Sequence, residues 1–219
     1  MSDGFFKMLR GEPAEPPAAP PSAEPAERIP RRSTGLTEFS RCLHGEEHLR
    51  ILDLGPTSPS NIAFITGQGH KVYNEDILLA ATDPRYQAPS DNGKAAVDVD
   101  RFLAENLLYT TTLLDAALCW DIPDYLPEDL VKPAVGRIHR ALKRGGVLLA
   151  FFHTRDAGPD APYYRYHIAS PDSLELQRGP HFRLQRVYQN RHIENLFREF
   201  SSVKFFLARD NVREVLVIK

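Results

Sequence analysis

From residue 33 onward the apolar positions fall into two kinds of short run, and their alternation is the first structural signal in the chain. Leu36, Phe39 and Leu43 repeat at helical spacing, with Gly45 behind them as a C-terminal stop. Residues 50–54, RILDL, predict a short strand; residues 62–67 predict a short helix and residues 70–77 a second strand. Residues 82–97 are polar and broken by Pro and Gly, which predicts a loop, and residues 102–108 read as helical or mixed. Residues 115–120 predict a buried strand that runs into DIPDYLP. Ala134, Val135, Ile138, Ala141 and Leu142 mark one helix face, closed by Gly145 and Gly146. Residues 147–153, VLLAFFH, form the most apolar run in the chain, as suits the middle of a parallel sheet covered on both faces. Near the end, Ile193, Leu196, Phe197 and Phe200 define a last helix. The apolar runs 203–207 and 212–218, joined by the turn ARDN, are too close for anything but antiparallel pairing. Strand and helix in alternation predict an α/β domain with a mainly parallel sheet, helices on both faces and a C-terminal antiparallel hairpin.

Ahead of that domain the texture is different. Residues 11–32 are dominated by Pro, Ala and Glu, too poor in apolar surface to offset the entropy of ordering them. The boundaries read as a disordered arm over 1–32 and a folded domain over 33–219. The Pro17 to Pro20 spacing offers a weak protein partner of the SH3 type, although a plain spacer explains it as well. Phe5, Phe6, Met8 and Leu9 are apolar residues that a free tail does not need.

Composition narrows the function classes. A hydrophobic content of 42% supports a sizeable core, and a formal charge of -2 gives no general pull toward nucleic acid or an anionic membrane. Two cysteines without a CxxC fit a reducing compartment, and neither a long apolar span nor a secretory h-region is present, so the expectation is a soluble cytoplasmic protein. No Cys/His cluster has metal-ligand spacing, and GxSxG and GxxxxGKS are both absent.

Five blocks in order resemble the class I S-adenosylmethionine-dependent methyltransferases over roughly residues 45–219. They are LDLG at 52–55, NEDI at 74–77, LDAALCWDIPDYLP at 114–127, ALKRGGVLLAFFHT at 141–154, and the closing helix and hairpin. The resemblance implies a Rossmann-like, seven-stranded methyltransferase sheet with S-adenosylmethionine as cofactor, bound beyond the carboxyl ends of the strands. Those ends are Asp53 to Gly55, Asp76, Trp120 with Asp121, and His153 with Thr154. Asp76 lies 21 residues beyond Gly55, where an acidic residue accepts the ribose hydroxyls. Strand alternation puts Asp76 with Val72 and Asn74 and turns Glu75 the other way, leaving Glu75 as the fallback.

The loop departs from the family pattern. Thr57 and Pro59 stand where the second and third glycines are usual, while Gly55 is kept and lets the backbone approach a ligand without a Cβ. Ser58 followed by Pro59 reads as an N-cap with Pro at the first helical position, which aims the helix start at a ligand carboxylate. Pro56 and Pro59 each remove a donor, so a pocket that has closed is the competing expectation. An adenine-holding acid, implied by the resemblance, falls to Asp100 or Asp98 in VDVD, against a plain solvated charge.

On the acceptor side Trp120 stacks on a ligand or fills core, and Asp121 takes the cofactor's amino group or a substrate proton or caps the next turn. His153 reads as a hydrogen-bonded structural residue. The absence of an Asn-Pro-Pro-Tyr-type tetrad counts against a nucleobase acceptor. Tyr163, Tyr164, Tyr166, Arg178, Arg183, Arg186 and Arg191 suggest either a lid or RNA-binding face, or an added hairpin turning at Gly179-Pro180 with a solvated basic face. The leading expectation is methyl transfer to a small-molecule or protein acceptor, with no membrane or nucleic-acid partner. The alternative is a non-catalytic methyltransferase-like binding or scaffolding module. A nicotinamide enzyme fits less well, because GxGxxG is absent and the chain ends in a hairpin.

Overall fold

The computed structural model describes residues 27–88, 96–156, 158, 162–207 and 210–219. Most of the arm, including the Pro17 to Pro20 motif and the apolar cluster at 5–9, lies outside the described residues. The domain nevertheless begins earlier than residue 33. Residues placed in the arm form strand β1 (Arg28–Arg32), which pairs antiparallel with a strand 140 and more positions away, Ile29 opposite Leu176 and Arg32 opposite Ser173. Pro30 is tolerated because β1 is an edge strand, where a missing N–H costs no ladder bond.

Helix α1 (Thr34–Leu43) starts where the Ser33 hydroxyl accepts from the Leu36 N–H and buries Leu36, Phe39 and Leu43. Strand β2 (Arg50–Leu54) leads to α2 (Pro59–Gly67), with Ser58 as N-cap and Pro59 in first position, as the sequence predicts. Strand β3 (Lys71–Glu75) is followed by the short α3 (Ile77–Ala80), a 3-10 turn (Pro84–Tyr86) and a two-stranded ribbon, β4 (Gln87–Ala88) with β5 (Ala96–Val97). Helix α4 (Val99–Glu105) precedes β6 (Leu114–Trp120), α5 (Ile122–Tyr125), α6 (Glu128–Ala141) and β7 (Leu142–His153). Then come β8 (Tyr164–Ser170), β9 (Ser173–Arg178), α7 (Asn190–Leu196), β10 (Ser202–Leu207) and β11 (Val212–Ile218).

The main sheet runs β10-β11-β7-β6-β2-β3; β3, β2, β6 and β7 are parallel, and β11 and β10 close it antiparallel. Alternating strand residues feed two cores. Leu52, Ala117, Leu148 and Val215 meet α4, α6 and α7, while Ile51, Leu118, Leu149 and Leu216 meet α1 and α2. The mainly parallel α/β sheet with a terminal antiparallel pair and helices on both faces is therefore the observed architecture.

Three details correct the sequence reading. Among the described residues the main sheet has six strands rather than seven, and residues 99–105 form helix α4. Gly145 and Gly146 do not close α6, which ends at Ala141; they lie inside β7, where its register against β6 shifts between Leu114 and Ala116. The added hairpin exists but turns at Pro171 and Asp172 rather than at Gly179-Pro180, because Gly179 instead bonds back to the Tyr163 carbonyl at 2.9 Å.

Candidate cofactor cleft

Between β2 and β6 the chain order reverses, and in open α/β sheets that switch point is where ligands bind. Here the crevice is bridged by side chains. The Trp120 indole N–H donates to Asp53 Oδ1 at 2.7 Å, and the Asn61 amide donates to Asp53 Oδ2 at 2.9 Å. Burial lifts the Asp53 carboxyl to about 6, and these two donors hold it from rising further. Asn61, third residue of α2, also reaches the hairpin: its amide donates to the Tyr166 carbonyl at 3.2 Å, and its oxygen accepts the Ile168 N–H at 2.7 Å. Ser58 Oγ meets His167 Nδ1 at 2.8 Å. Strand β8 thus lies along α2 and covers its N-terminus.

Gly55 is held in a left-handed backbone conformation at the end of β2. Its φ of +133° is one that a side chain would strain, its N–H donates to the Glu75 carbonyl, and an added Cβ would stand 3.8 Å from the Trp120 ring. Asn74, which the sequence reading did not use, holds the loop from beneath by donating to the Asp53 and Gly55 carbonyls at 3.1 Å each, and it also meets the Thr57 hydroxyl. Its only signal was its place one step before the acidic pair. Glu75 is removed as a fallback, since its two oxygens accept from the Leu107 N–H and the Tyr109 hydroxyl, both at 2.7 Å. Asp76 caps α3 through Oδ1 and is half-buried beside a wide cleft of about 520 Å³ that it shares with Leu79 and Thr82. Asp100 does not join this set. It stands exposed in the first turn of α4, where an acid complements the helix dipole, and Asp98 caps that helix.

Trp120 holds φ at +49°, a left-handed conformation that is strained for a bulky aromatic residue. Its ring is 4% exposed, stacks on Tyr166 with centroids 5.2 Å apart, and meets Phe151 edge-on. The core-filling option is therefore the observed one, with a hydrogen bond to Asp53 added. Asp121 caps nothing by its side chain; its Oδ2 accepts from the Tyr166 hydroxyl at 3.0 Å, and its Oδ1 is buried without a partner. Next to it Asp124 is also buried, with Oδ2 against His153 Nδ1 at 2.8 Å and against the His153 N–H at 2.6 Å. His153 is structural, as expected. Burial pulls its pKa down, but the Asp124 contact and the nearby carboxylate charges more than offset this and hold it above its ordinary value.

Burial pushes Asp121 up to about 7, against the opposing pull of His153. Between about pH 4 and 7 the folded chain therefore keeps a proton that the unfolded chain gives up, so stability falls as pH rises through that window. Asp121→Asn cannot titrate. Its stability relative to wild type is expected to improve by on the order of 3 kcal/mol between pH 4 and 8, read from urea unfolding at each pH. A difference that stays flat with pH would dismiss the perturbed carboxyl.

The tyrosines and arginines of residues 154–191 separate rather than interleave. Tyr163 and Tyr166 are buried, while Arg178, Arg183 and Arg191 are exposed and Arg186 pairs with Glu128 and lies over the Tyr188 ring. A cavity of about 930 Å³ opens next to Tyr163 and is lined by Leu78, Thr82, Val97, Tyr125, Phe182 and Arg183 among others.

No family model matches the sequence, and no curated protein does. Solved structures do match its shape. A Burkholderia thailandensis 1,6-didemethyltoxoflavin-N1-methyltransferase, solved with 1,6-didemethyltoxoflavin and S-adenosylhomocysteine, is 15% identical with a TM-score of 0.46, over 85% of this chain and 78% of that one. A TehB-like SAM-dependent methyltransferase from Corynebacterium glutamicum is 16% identical with a TM-score of 0.45, over 84% and 87%. A SAM-dependent methyltransferase from Archaeoglobus fulgidus is 9% identical with a TM-score of 0.49, over 84% and 91%. These likenesses are distant, and the functional reading rests on the chain's own residues.

Proposed function

We propose that this protein transfers a methyl group from S-adenosylmethionine to a small-molecule or protein acceptor. The observation that carries the reading is a buried carboxylate oxygen without a partner, Asp121 Oδ1, at the carboxyl end of β6 beside the switch point. An unsatisfied buried oxygen is costly in an isolated chain and suits an ammonium group, such as the cofactor's amino group. The donor set around it fits the same group: the Gly55 backbone can be approached without a Cβ, and Asp76 presents a half-buried carboxylate at the end of β3.

In this reading Asp121 takes the amino group, Asp76 the ribose hydroxyls and the Gly55 loop the body of the cofactor. Asp53 and Asn74 shape that loop, and Thr57 steadies it through Asn74. When bound, the cofactor supplies an already activated methyl group, so the protein's part is to orient the acceptor and exclude water. The cavity beside Tyr125 and Phe182 is the place for that acceptor. Two free cysteines, and the lack among the described residues of any helix long and apolar enough to cross a membrane, agree with a cytoplasmic setting.

A second reading, a non-catalytic binding module, is favoured by one specific observation: Asp53, Asn61 and Ser58 are all satisfied within the chain. Calorimetric titration with S-adenosylmethionine and S-adenosylhomocysteine separates the two. Saturable binding that Asp76→Ala weakens at least about tenfold, as loss of charge-assisted hydrogen bonds would, is the expected result. A folded protein that binds neither compound is the non-catalytic module, and unchanged affinity in the variant removes Asp76 from the site.

A further inference from the structure

Two tyrosines of the inserted segment stand over the strand ends that the cofactor reading needs. Tyr166 lies flat on Trp120, interplanar angle 4°, touches Phe151 edge-on at 5.2 Å, and gives its hydroxyl proton to Asp121 at 3.0 Å. Tyr163, 3% exposed, packs edge-on against Tyr125 and Phe182 at 5.1 Å each. Tyr125 and Phe182 line the cavity assigned to the acceptor, so Tyr163 stands at the wall of that cavity. One tyrosine therefore engages the carboxylate assigned to the amino group, and the other closes the wall of the neighbouring cavity through Tyr125 and Phe182.

The backbone behind these rings is firmly held. Strand β8 is tied to α2 through Asn61 and Ser58, and β9 is tied to β1 along the full length of β1. Moving the whole hairpin would break all of these bonds, whereas rotating two side chains breaks one hydrogen bond and a few ring contacts. Resting on the methyl-transfer reading, we propose that Tyr163 and Tyr166 form an aromatic gate that fills the cofactor cleft in the free protein and swings aside when S-adenosylmethionine enters. Closed, the gate satisfies the hydroxyl-accepting side of Asp121 and keeps water from the crevice. Open, it uncovers Trp120 and Asp121, while Asp76 already borders the wide cleft at the end of β3. Such a gate lowers apparent affinity by the fraction of molecules that are open, so trimming it tightens binding without adding a contact.

The test uses the full chain, with S-adenosylhomocysteine as the probe and Trp120, the one tryptophan in the sequence, as the reporter. Tyr166→Ala and Tyr163→Ala are each expected to bind the probe at least tenfold more tightly than wild type. Tyr166→Phe, which keeps the stack and loses only the hydroxyl, is expected to gain less than threefold. Wild-type Trp120 emission is expected to shift to longer wavelength as the probe binds, and Tyr166→Ala to show that shift already without it. Because either alanine variant alone could unfold, each is checked by circular dichroism, and the phenylalanine variant and the wild-type emission stand on their own. If wild type binds the probe with no change in Trp120 emission and no folded variant binds more tightly, the gate is wrong and the methyl-transfer reading survives. If wild type and folded variants all fail to bind, the gate and the methyl-transfer reading fall together.

Discussion

Trp120→Ala is expected to lower stability by about 4–6 kcal/mol. Truncating a buried Trp costs about 3–5 kcal/mol in lost transfer energy and cavity, and the change also leaves Asp53 Oδ1 buried with no donor, a further ~1–3 kcal/mol. The effects overlap, since Asp53, already lifted to about 6, can take up a proton and lose the penalty of an unpaired charge. Against a typical total of about 5–15 kcal/mol the loss is severe, and for a chain of this length it corresponds to a melting temperature lower by about 10–20 °C. Trp120→Phe separates the two causes, since it keeps a ring between Phe151 and Tyr166 but removes the indole donor. That variant should lose about 1–3 kcal/mol. A loss below about 2 kcal/mol for Trp120→Ala in calorimetric melting would mean that the indole is not the bridge across the switch point.

The next largest effect is expected at the junction of β1 with the main sheet. Arg31 is 7% exposed, its guanidinium lies 2.7 Å from Glu214 Oε1 and 5.1 Å over the Phe151 ring, and it also pairs with Asp210. Glu214 is 1% exposed and accepts the Gly35 N–H at 2.5 Å. The approach is so close that a Cβ on Gly35 would stand 2.9 Å from the same carboxylate. Arg31→Ala leaves that carboxylate buried without its cation, which costs about 3–5 kcal/mol in buried pairs. The double variant Arg31→Met with Glu214→Gln keeps the volume and the acceptor for Gly35 and removes both charges, so it is expected to recover most of the loss, to within about 1–2 kcal/mol of wild type. Urea unfolding of Arg31→Met, Glu214→Gln and the double variant closes the cycle, with Arg31→Ala measured beside them. If the double variant is no better than the sum of its parts, the pair is not coupled and β1 is held by its ladder alone.

What could be read in the sequence follows how locally each feature is decided. The α2 start was legible because Ser58 and Pro59 act on the next three residues, whatever the rest of the chain does. The buried strands were legible because VLLAFFH and DAALCW have only one favourable environment. The end of α6 was misplaced because Gly145-Gly146 is a breaker by type, yet its use here is a register shift against a neighbouring strand. Strand β1 was missed because nothing in RIPRR speaks for a strand until β9 supplies the partner.

The candidate site divides along the same line. Sequence by itself determined which residues stand at the carboxyl ends of the strands, because strand ends follow from local pattern: Asp53, Gly55, Asp76, Trp120, Asp121. It also determined the chemistry each could offer. Tertiary structure alone decided their partners. Asp53 to Trp120 spans 67 residues, Asp121 to Tyr166 spans 45, and Asn61 to Ile168 spans 107. Each of these bonds exists only after the sheet has formed and the hairpin has settled on α2. A hydrogen bond depends on distance and angle in space, and spacing along a chain carries neither until the fold supplies it.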